Sequence, residues 1–202
     1  MNDKRTPDSS SRLTPEREAE LLAATVGAPE RLDRSIHLEP YDPVWPQRYA
    51  HMAEEIRRVL GDRVRRLEHV GSTSVPGLSA KPVIDMVLTV EDSSDEDSYV
   101  QPLEQIGYSL RIREPGWHEH RLLRPSAVVG NLHVFSEGCT EVDQMLLFRD
   151  WLRSHPEDRV LYETTKQNLA RQVWKYMQEY ADAKGEVVQR ILQSARRGSP
   201  RI

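Results

Sequence analysis

Apolar residues recur at helical spacing near both ends of the chain and at strand density in its middle. Trp45, Tyr49, Met52, Ile56, Val59 and Leu60 fall three or four positions apart, or side by side, and draw one apolar face on a helix. Residues 82–90, Pro-Val-Ile-Asp-Met-Val-Leu-Thr-Val, form a nearly unbroken Val- and Ile-rich run, which predicts a central strand buried on both faces. Shorter strand-like runs occupy residues 36–38, 64–70, 107–112, 121–124 and 131–135, the last two joined by a turn around Pro125 to Gly130. Residues 91–97 are acidic and polar and read as a loop leading to a helix that ends near Ile106. From Met145 onward the pattern turns helical. Met145, Leu146, Phe148, Trp151 and Leu152 mark one amphipathic helix, and Pro156 opens another. A long helical pattern then carries Tyr162, Leu169, Val173, Tyr176, Tyr180, Val187, Ile191 and Leu192, with Trp174 and the tyrosines read as core. Strands in the middle with helices before and after predict an α+β domain, a mixed β-sheet of about four or five strands with packed helices and a C-terminal helical segment.

The N-terminus reads differently. Residues 1–12 are polar and predict a disordered start. Thr14 as N-cap, Pro15 at the first helical position and Glu16 and Glu18 in the first turn then predict a helix running to Val26 and stopped by Gly27. The chain therefore divides into an arm over residues 1–35, a domain over 36–195 and a frayed basic tail over 196–202.

Composition narrows the function classes without naming one. The 202 residues suffice for a full core and favour one domain. With 32 acids against 28 bases, the net charge of −4 argues against a partner held mainly by the nucleic-acid backbone. No run approaches the ~20 apolar residues of a membrane span, and the polar first residues lack the apolar core of a signal peptide. The lone Cys139 excludes an internal disulfide and a cysteine zinc cluster. These features lead to the expectation of a cytoplasmic protein with a small-molecule substrate, no nucleic-acid partner and no membrane contact.

The chemistry is concentrated between Glu68 and Asp85. Gly71 allows close approach of backbone to ligand, Ser72, Thr73 and Ser74 supply hydroxyls, and the N–H groups of such a turn can cradle an anion. Lys81 adds a point charge suited to phosphate. Asp85 stands in an apolar strand, where an unpaired charge is costly, so it requires a partner. The plainer alternative is a tight turn with a structural Asp–Lys pair. His118 and His120 alternate, as two side chains on one strand face would, and with His133 on a neighbouring strand they form a candidate Zn²⁺, Mn²⁺ or Fe²⁺ site. Alone, His133 is either a base facing a pocket or a core histidine. Arg149 and Arg153, one turn apart, are expected in surface pairs with Asp150 or Glu157 or on substrate phosphate.

The string Glu68-His69-Val70-Gly71-Ser72-Thr73-Ser74-Val75-Pro76-Gly77-Leu78-Ser79-Ala80-Lys81-Pro82-Val83-Ile84-Asp85-Met86 resembles the signature of the GrpB family, a branch of the nucleotidyltransferase-like superfamily. The later segments 117–121, 131–135, 148–156 and 180–184 resemble the same family, in the same order. The resemblance implies a polymerase-β-like fold and transfer of a nucleotidyl group from a Mg²⁺-bound NTP to a small molecule. In that picture Gly71, Ser72, Thr73 and Lys81 bind nucleotide phosphates, Asp85 binds the metal, and Glu68 or His133 acts on the acceptor hydroxyl. Superfamily enzymes usually carry two acids at alternate strand positions, on one face. Here the second position is Val87, so His69, His118, His120 and His133 become candidate substitutes as metal ligands. The departure opens alternatives: a degenerate fold doing ATP-dependent ligation or other metal-assisted chemistry, or a non-enzymatic ligand-binding or accessory module.

Overall fold

The computed structural model describes residues 13–198. The expected disordered start, residues 1–12, and residues 199–202 of the expected tail lie outside the described residues. In chain order the elements are α1 (Pro15–Ala24), α2 (Trp45–Leu60), β1 (Arg66–Val70), β2 (Ile84–Val90), α3 (Val100–Glu104), β3 (Tyr108–Glu114), β4 (His120–Pro125), β5 (Gly130–Ser136), α4 (Thr140–Ser154), α5 (Pro156–Ala170), α6 (Met177–Ala183) and α7 (Gly185–Gly198). This is the α+β class expected from the pattern, with one mixed sheet and a helical C-terminal segment.

The sheet runs in the order β1-β2-β5-β4-β3. Only β2 and β5 pair in parallel, so the chain must leave β2, form α3, β3 and β4, and return beside it. Alternation along β2 explains its apolar run. Ile84, Met86, Leu88 and Val90 join the core that packs under Trp45, Met52, Ile56 and Leu60 of α2. Val87 points the other way, into a second cluster with Val70, Phe135 and Val142 of α4. Asp85, two residues before Val87, shares that second face.

Four expectations change. Residues 36–38 form no strand; Arg34 and Glu39 make single bridges to Trp174 and Ala80 instead. The long C-terminal helical pattern is three helices, because the chain leaves the helix after Ala170 and restarts at Met177. The Glu179 carboxylate accepts the N–H groups of Lys175 and Tyr176 at 2.6 and 3.0 Å and so caps α6. The tail begins later than expected: Arg196 and Arg197 continue α7, where Arg196 donates to Gln144 at 2.7 Å, because Gly198 lets the helix end lie against the Trp151 ring. The arm helix ends at Ala24 and docks on the domain, Glu18 meeting Lys175 and Tyr176. Among the described residues, no helix is long and apolar enough to cross a membrane.

Candidate functional site

The site begins where β1 turns toward β2. Gly71 has φ +70°, and a Cβ placed there would lie 2.5 Å from Oδ2 of Asp85. Glycine is therefore required twice, for the backbone conformation and for the turn to rest on the carboxylate. Residues Ser72–Ser74 make one 3₁₀ turn. The Ser74 hydroxyl donates to the Gly71 carbonyl at 2.6 Å, and Thr73 donates to the Val83 carbonyl at 3.0 Å. His69 Nε2 lies 3.0 Å from the Thr73 oxygen. Because the single Thr73 proton is committed to Val83, His69 Nε2 is the donor. Helix α4 holds the turn from the far side: Arg153 donates twice to the Ser74 carbonyl at 3.0 and 2.8 Å, and Arg149 donates to the His69 carbonyl and to Glu68, each at 2.9 Å.

Beside this turn lies a small pocket of about 70 Å³, bounded by Ser72, Thr73, Lys81, Asp85, Lys166, Tyr180 and Lys184, with Leu38 and Val83 as apolar wall. Asn131 on β5 donates to Oδ1 of Asp85 at 2.8 Å, and its own oxygen accepts from Arg124 at 3.2 Å. Lys166 donates to the Ser72 hydroxyl at 3.1 Å and to the Ser79 carbonyl, and its ammonium lies 4.9 Å from the Tyr162 ring centre. Among the described residues, the close partners of Lys81 are the Met177 sulfur, at 2.9 Å, and the Tyr180 ring, at 5.7 Å. Lys184 stands 4.6 Å from the same ring. Burial pushes Lys166 down to about 7, aided by Lys184 and Lys81 and opposed by Glu163. Burial likewise lowers Lys81 to about 8, with Asp85 opposing. Lys184 is lowered by burial too, against the pull of Asp85 and Asp182. Three amines thus face one carboxylate, an arrangement suited to an added anion.

Ser72, Thr73, Lys81 and Asp85 therefore share one pocket, with Gly71 at its edge. Glu68 and His133 do not line it. They flank Val87 instead, Glu68 across β1 and His133 across β5, on the face that carries Asp85. His69 points to the other side of the sheet, stacked on Tyr49 of α2 at 4.8 Å, and burial lowers it to about 4. His118 is not on a strand: it and Glu119 have φ +56° and +49° in the turn before β4, and its side chain is exposed. The expected alternation with His120 fails because the turn, not the strand, sets its direction. Among the described residues no three His, Cys, Asp or Glu side chains converge as metal ligands. Arg153 pairs with Asp150 at 3.2 Å rather than Glu157. Lys166, Lys184 and Asn131 join the site without a chemical role expected from the sequence, and Tyr180, expected as core, also lines the pocket. Lys166 did leave a signal, since it stands four residues after Tyr162 and four before Ala170, a lysine on the buried face of α5.

His120 and His133 do come together. His120 Nδ1 lies 2.7 Å from Glu114, and its Nε2 lies 3.1 Å from His133 Nδ1. Burial, then the His120 charge, lowers His133 to about 4, so it is neutral near pH 7. With Glu114 able only to accept, a neutral His120 carries its proton on Nδ1 and accepts at Nε2. His133 then carries its proton on Nδ1 and presents Nε2 as a lone pair. ¹⁵N NMR of the imidazoles is expected to show His133 in this Nδ1–H tautomer at neutral pH. The Glu114→Gln variant is expected to shift its tautomer ratio, and an unchanged ratio would refute the relay.

The fold and pocket define a mixed-sheet α+β domain whose Gly-Ser turn, strand aspartate and lysines share one pocket. Residues 35–194 match the family profile described as GrpB protein, and the chain belongs to that family. A UPF0157 protein of Halalkalibacterium halodurans is 51% identical over 92% of this chain and 95% of its own length. A dephospho-CoA kinase of Mycolicibacterium paratuberculosis is 30% identical over 66% of this chain, covering 39% of the kinase. Among solved structures, the conserved protein GrpB from Enterococcus faecalis superposes with a TM-score of 0.68 at 29% identity, covering 78% of this chain and 98% of that one.

Proposed function

We propose that the chain binds a nucleoside triphosphate with Mg²⁺ and transfers its nucleotidyl group to the hydroxyl of a small-molecule acceptor. The observation that carries this reading is the convergence of Asp85 with Ser72, Thr73 and Lys81 in one pocket. Mg²⁺ keeps waters and is typically held by one or two carboxylates plus substrate phosphates, so Asp85 fits a single ion. Val87, fully buried, offers no second ligand, and a two-metal site does not fit these residues. The ion would polarise the reacting phosphoryl group. The turn and Lys81 position the polyphosphate, and the other lysines oppose charge on the departing pyrophosphate. His133, across β5 from Val87 on the face that carries Asp85, is the candidate base for an acceptor lying outside the pocket, held by His120 and Glu114. Glu68 is tied to Arg149 and shapes the turn. The kinase named among the relatives supports a setting in nucleotide chemistry and nothing narrower.

Calorimetric titration with Mg²⁺-ATP is expected to give binding at or below millimolar concentration. Asp85→Ala is expected to weaken it at least tenfold, roughly the loss of one charge-assisted contact. No binding to the wild-type chain, or equal binding to the variant, would sink the reading. A second reading, ATP-dependent ligation or ligand binding without nucleotidyl transfer, is favoured by Val87 in place of the second acid. Release of AMP and pyrophosphate together with a joined product, in place of a nucleotidylated one, would select ligation.

A further inference from the structure

The pocket beside the Gly-Ser turn does not end at its apolar wall. Leu38 also lines a second, wider groove of about 490 Å³, bounded by the extended segment at residues 35–38 and by Gln167, Ala170 and Arg171 at the end of α5. Ala170 stands one turn beyond Lys166, and Arg171 one turn beyond Gln167, so the same helix serves first the pocket and then the groove. The two volumes differ in what they admit. About 70 Å³ equals roughly two waters, too little for a base or a ribose, while about 490 Å³ lies in the range of small-molecule sites.

Ile36 and Ala170 give the groove an apolar floor: both are buried, and the Ile36 N–H donates to the Ala170 carbonyl at 2.9 Å. Glu39 pairs with Ala80 through both its N–H and its carbonyl, at 2.8 and 2.9 Å. Between these fixed points, and among the described residues, the N–H and carbonyl groups of His37 and Leu38 have no backbone partner. An open edge of two residues is too short for a peptide strand, whose main-chain ladder runs over several. It suits the edge of a heteroaromatic base, which sets donors and acceptors side by side over a short span. Gln167 and Arg171 line the helix side with exposed side chains. Neither side chain takes part in the joint between segment and helix, which the Ile36 N–H and the Trp174 indole hold on the carbonyls of Ala170 and Leu169, each at 2.9 Å. A glutamine amide can pair with a base edge, and a planar guanidinium can lie against a base face.

We propose that this groove is the nucleoside subsite of the nucleotide whose phosphates enter the pocket. The base lies on Ile36 and Ala170, pairs its edge with the backbone of His37 and Leu38 and with the Gln167 amide, and is covered by the Arg171 guanidinium. Leu38, shared by both cavities, marks the passage from nucleoside to phosphates. This rests on the nucleotidyl-transfer reading and names the residues that select the nucleoside. Selection then belongs to α5 and the segment before α2, away from the Gly-Ser turn and Asp85.

The test is calorimetric titration of the full chain with Mg²⁺-ATP, Mg²⁺-tripolyphosphate and adenosine. Gln167→Ala and Arg171→Ala are each expected to weaken Mg²⁺-ATP about threefold to tenfold, and the double variant about tenfold or more, in line with one or two lost hydrogen bonds. Tripolyphosphate, which carries no nucleoside, is expected to change by less than about twofold, as for sites without shared partners. Its unchanged binding also shows that the variants are folded, and substitutions of exposed side chains should leave the melting temperature in place. Mg²⁺-ATP that binds the double variant as tightly as the wild type overturns the subsite and leaves the triphosphate reading standing. Equal weakening of ATP and tripolyphosphate does the same. If neither triphosphate binds, but adenosine binds the wild type and not the double variant, the subsite stands and the nucleotidyl-transfer reading falls. No binding by any of the three sinks both.

Discussion

Gly71→Ala is expected to destabilise the fold by about 2–4 kcal/mol and to abolish ligand binding. Two effects combine. At φ +70° an L side chain costs roughly 1–2 kcal/mol. The new methyl would also stand 2.5 Å from Oδ2 of Asp85, 3.0 Å from its Cβ and 3.1 Å from its Cγ. The aspartate is short and is held by Asn131, so relief requires the whole side chain to leave its place. Gly77→Ala separates the two effects. Gly77 has φ +79° but nothing within 4 Å of the added Cβ. It should show the conformational cost alone, roughly 1–2 kcal/mol, with ligand affinity intact. Chemical denaturation measures the first quantity and calorimetry the second. Equal affinity losses in the two variants would mean that contact with Asp85 is not what Gly71 protects.

Mild acid is expected to remove about 3 kcal/mol of stability through His69 alone. The residue is 6% exposed, stacked on Tyr49 and lowered to about 4. In the unfolded chain its pKa is near the ordinary value of ~6.5. Between these values the unfolded state binds the proton and the folded state does not. Stability therefore falls as pH drops from about 6.5 toward 4, and it is fully present above 6.5. His133, likewise lowered to about 4, acts in the same direction. Carboxylates such as Glu96, held low by Arg113, lose their contribution only below the usual carboxylate range. Urea unfolding at pH 7 and pH 4.5 measures the drop. The His69→Gln variant, whose amide N–H can serve Thr73, should show a smaller one; an equal drop would assign the acid sensitivity elsewhere.

The strands were legible because their side chains report burial directly. β2 reads as buried on both faces, and it is. The Gly-Ser turn and Asp85 were legible because small residues and a lone acid stand out against an apolar strand. The pocket wall was not. Lys184 looks like the solvated lysine of any helix until the α6–α7 junction is folded against the turn, and the spacing that puts Lys166 on the buried face of α5 gives no distance between residues 72 and 166. His118 was misplaced for a local reason, since a left-handed turn residue can interrupt an alternation that looks continuous in letters. The long C-terminal helix was over-read because its apolar spacing continues through residues 171–176, where backbone contacts with residues 32 and 34 replace helical ones.

Leu38 and Lys184 both line the pocket, although they stand near opposite ends of the described chain. During synthesis at roughly 5–20 residues per second, the sheet residues emerge from the ribosome several seconds before Lys184 does. A nascent chain at that stage carries Asp85 without the helical wall that bounds the pocket. The pocket is thus a late product of synthesis: its wall closes only after Lys166, Tyr180 and Lys184 have emerged and packed against the turn.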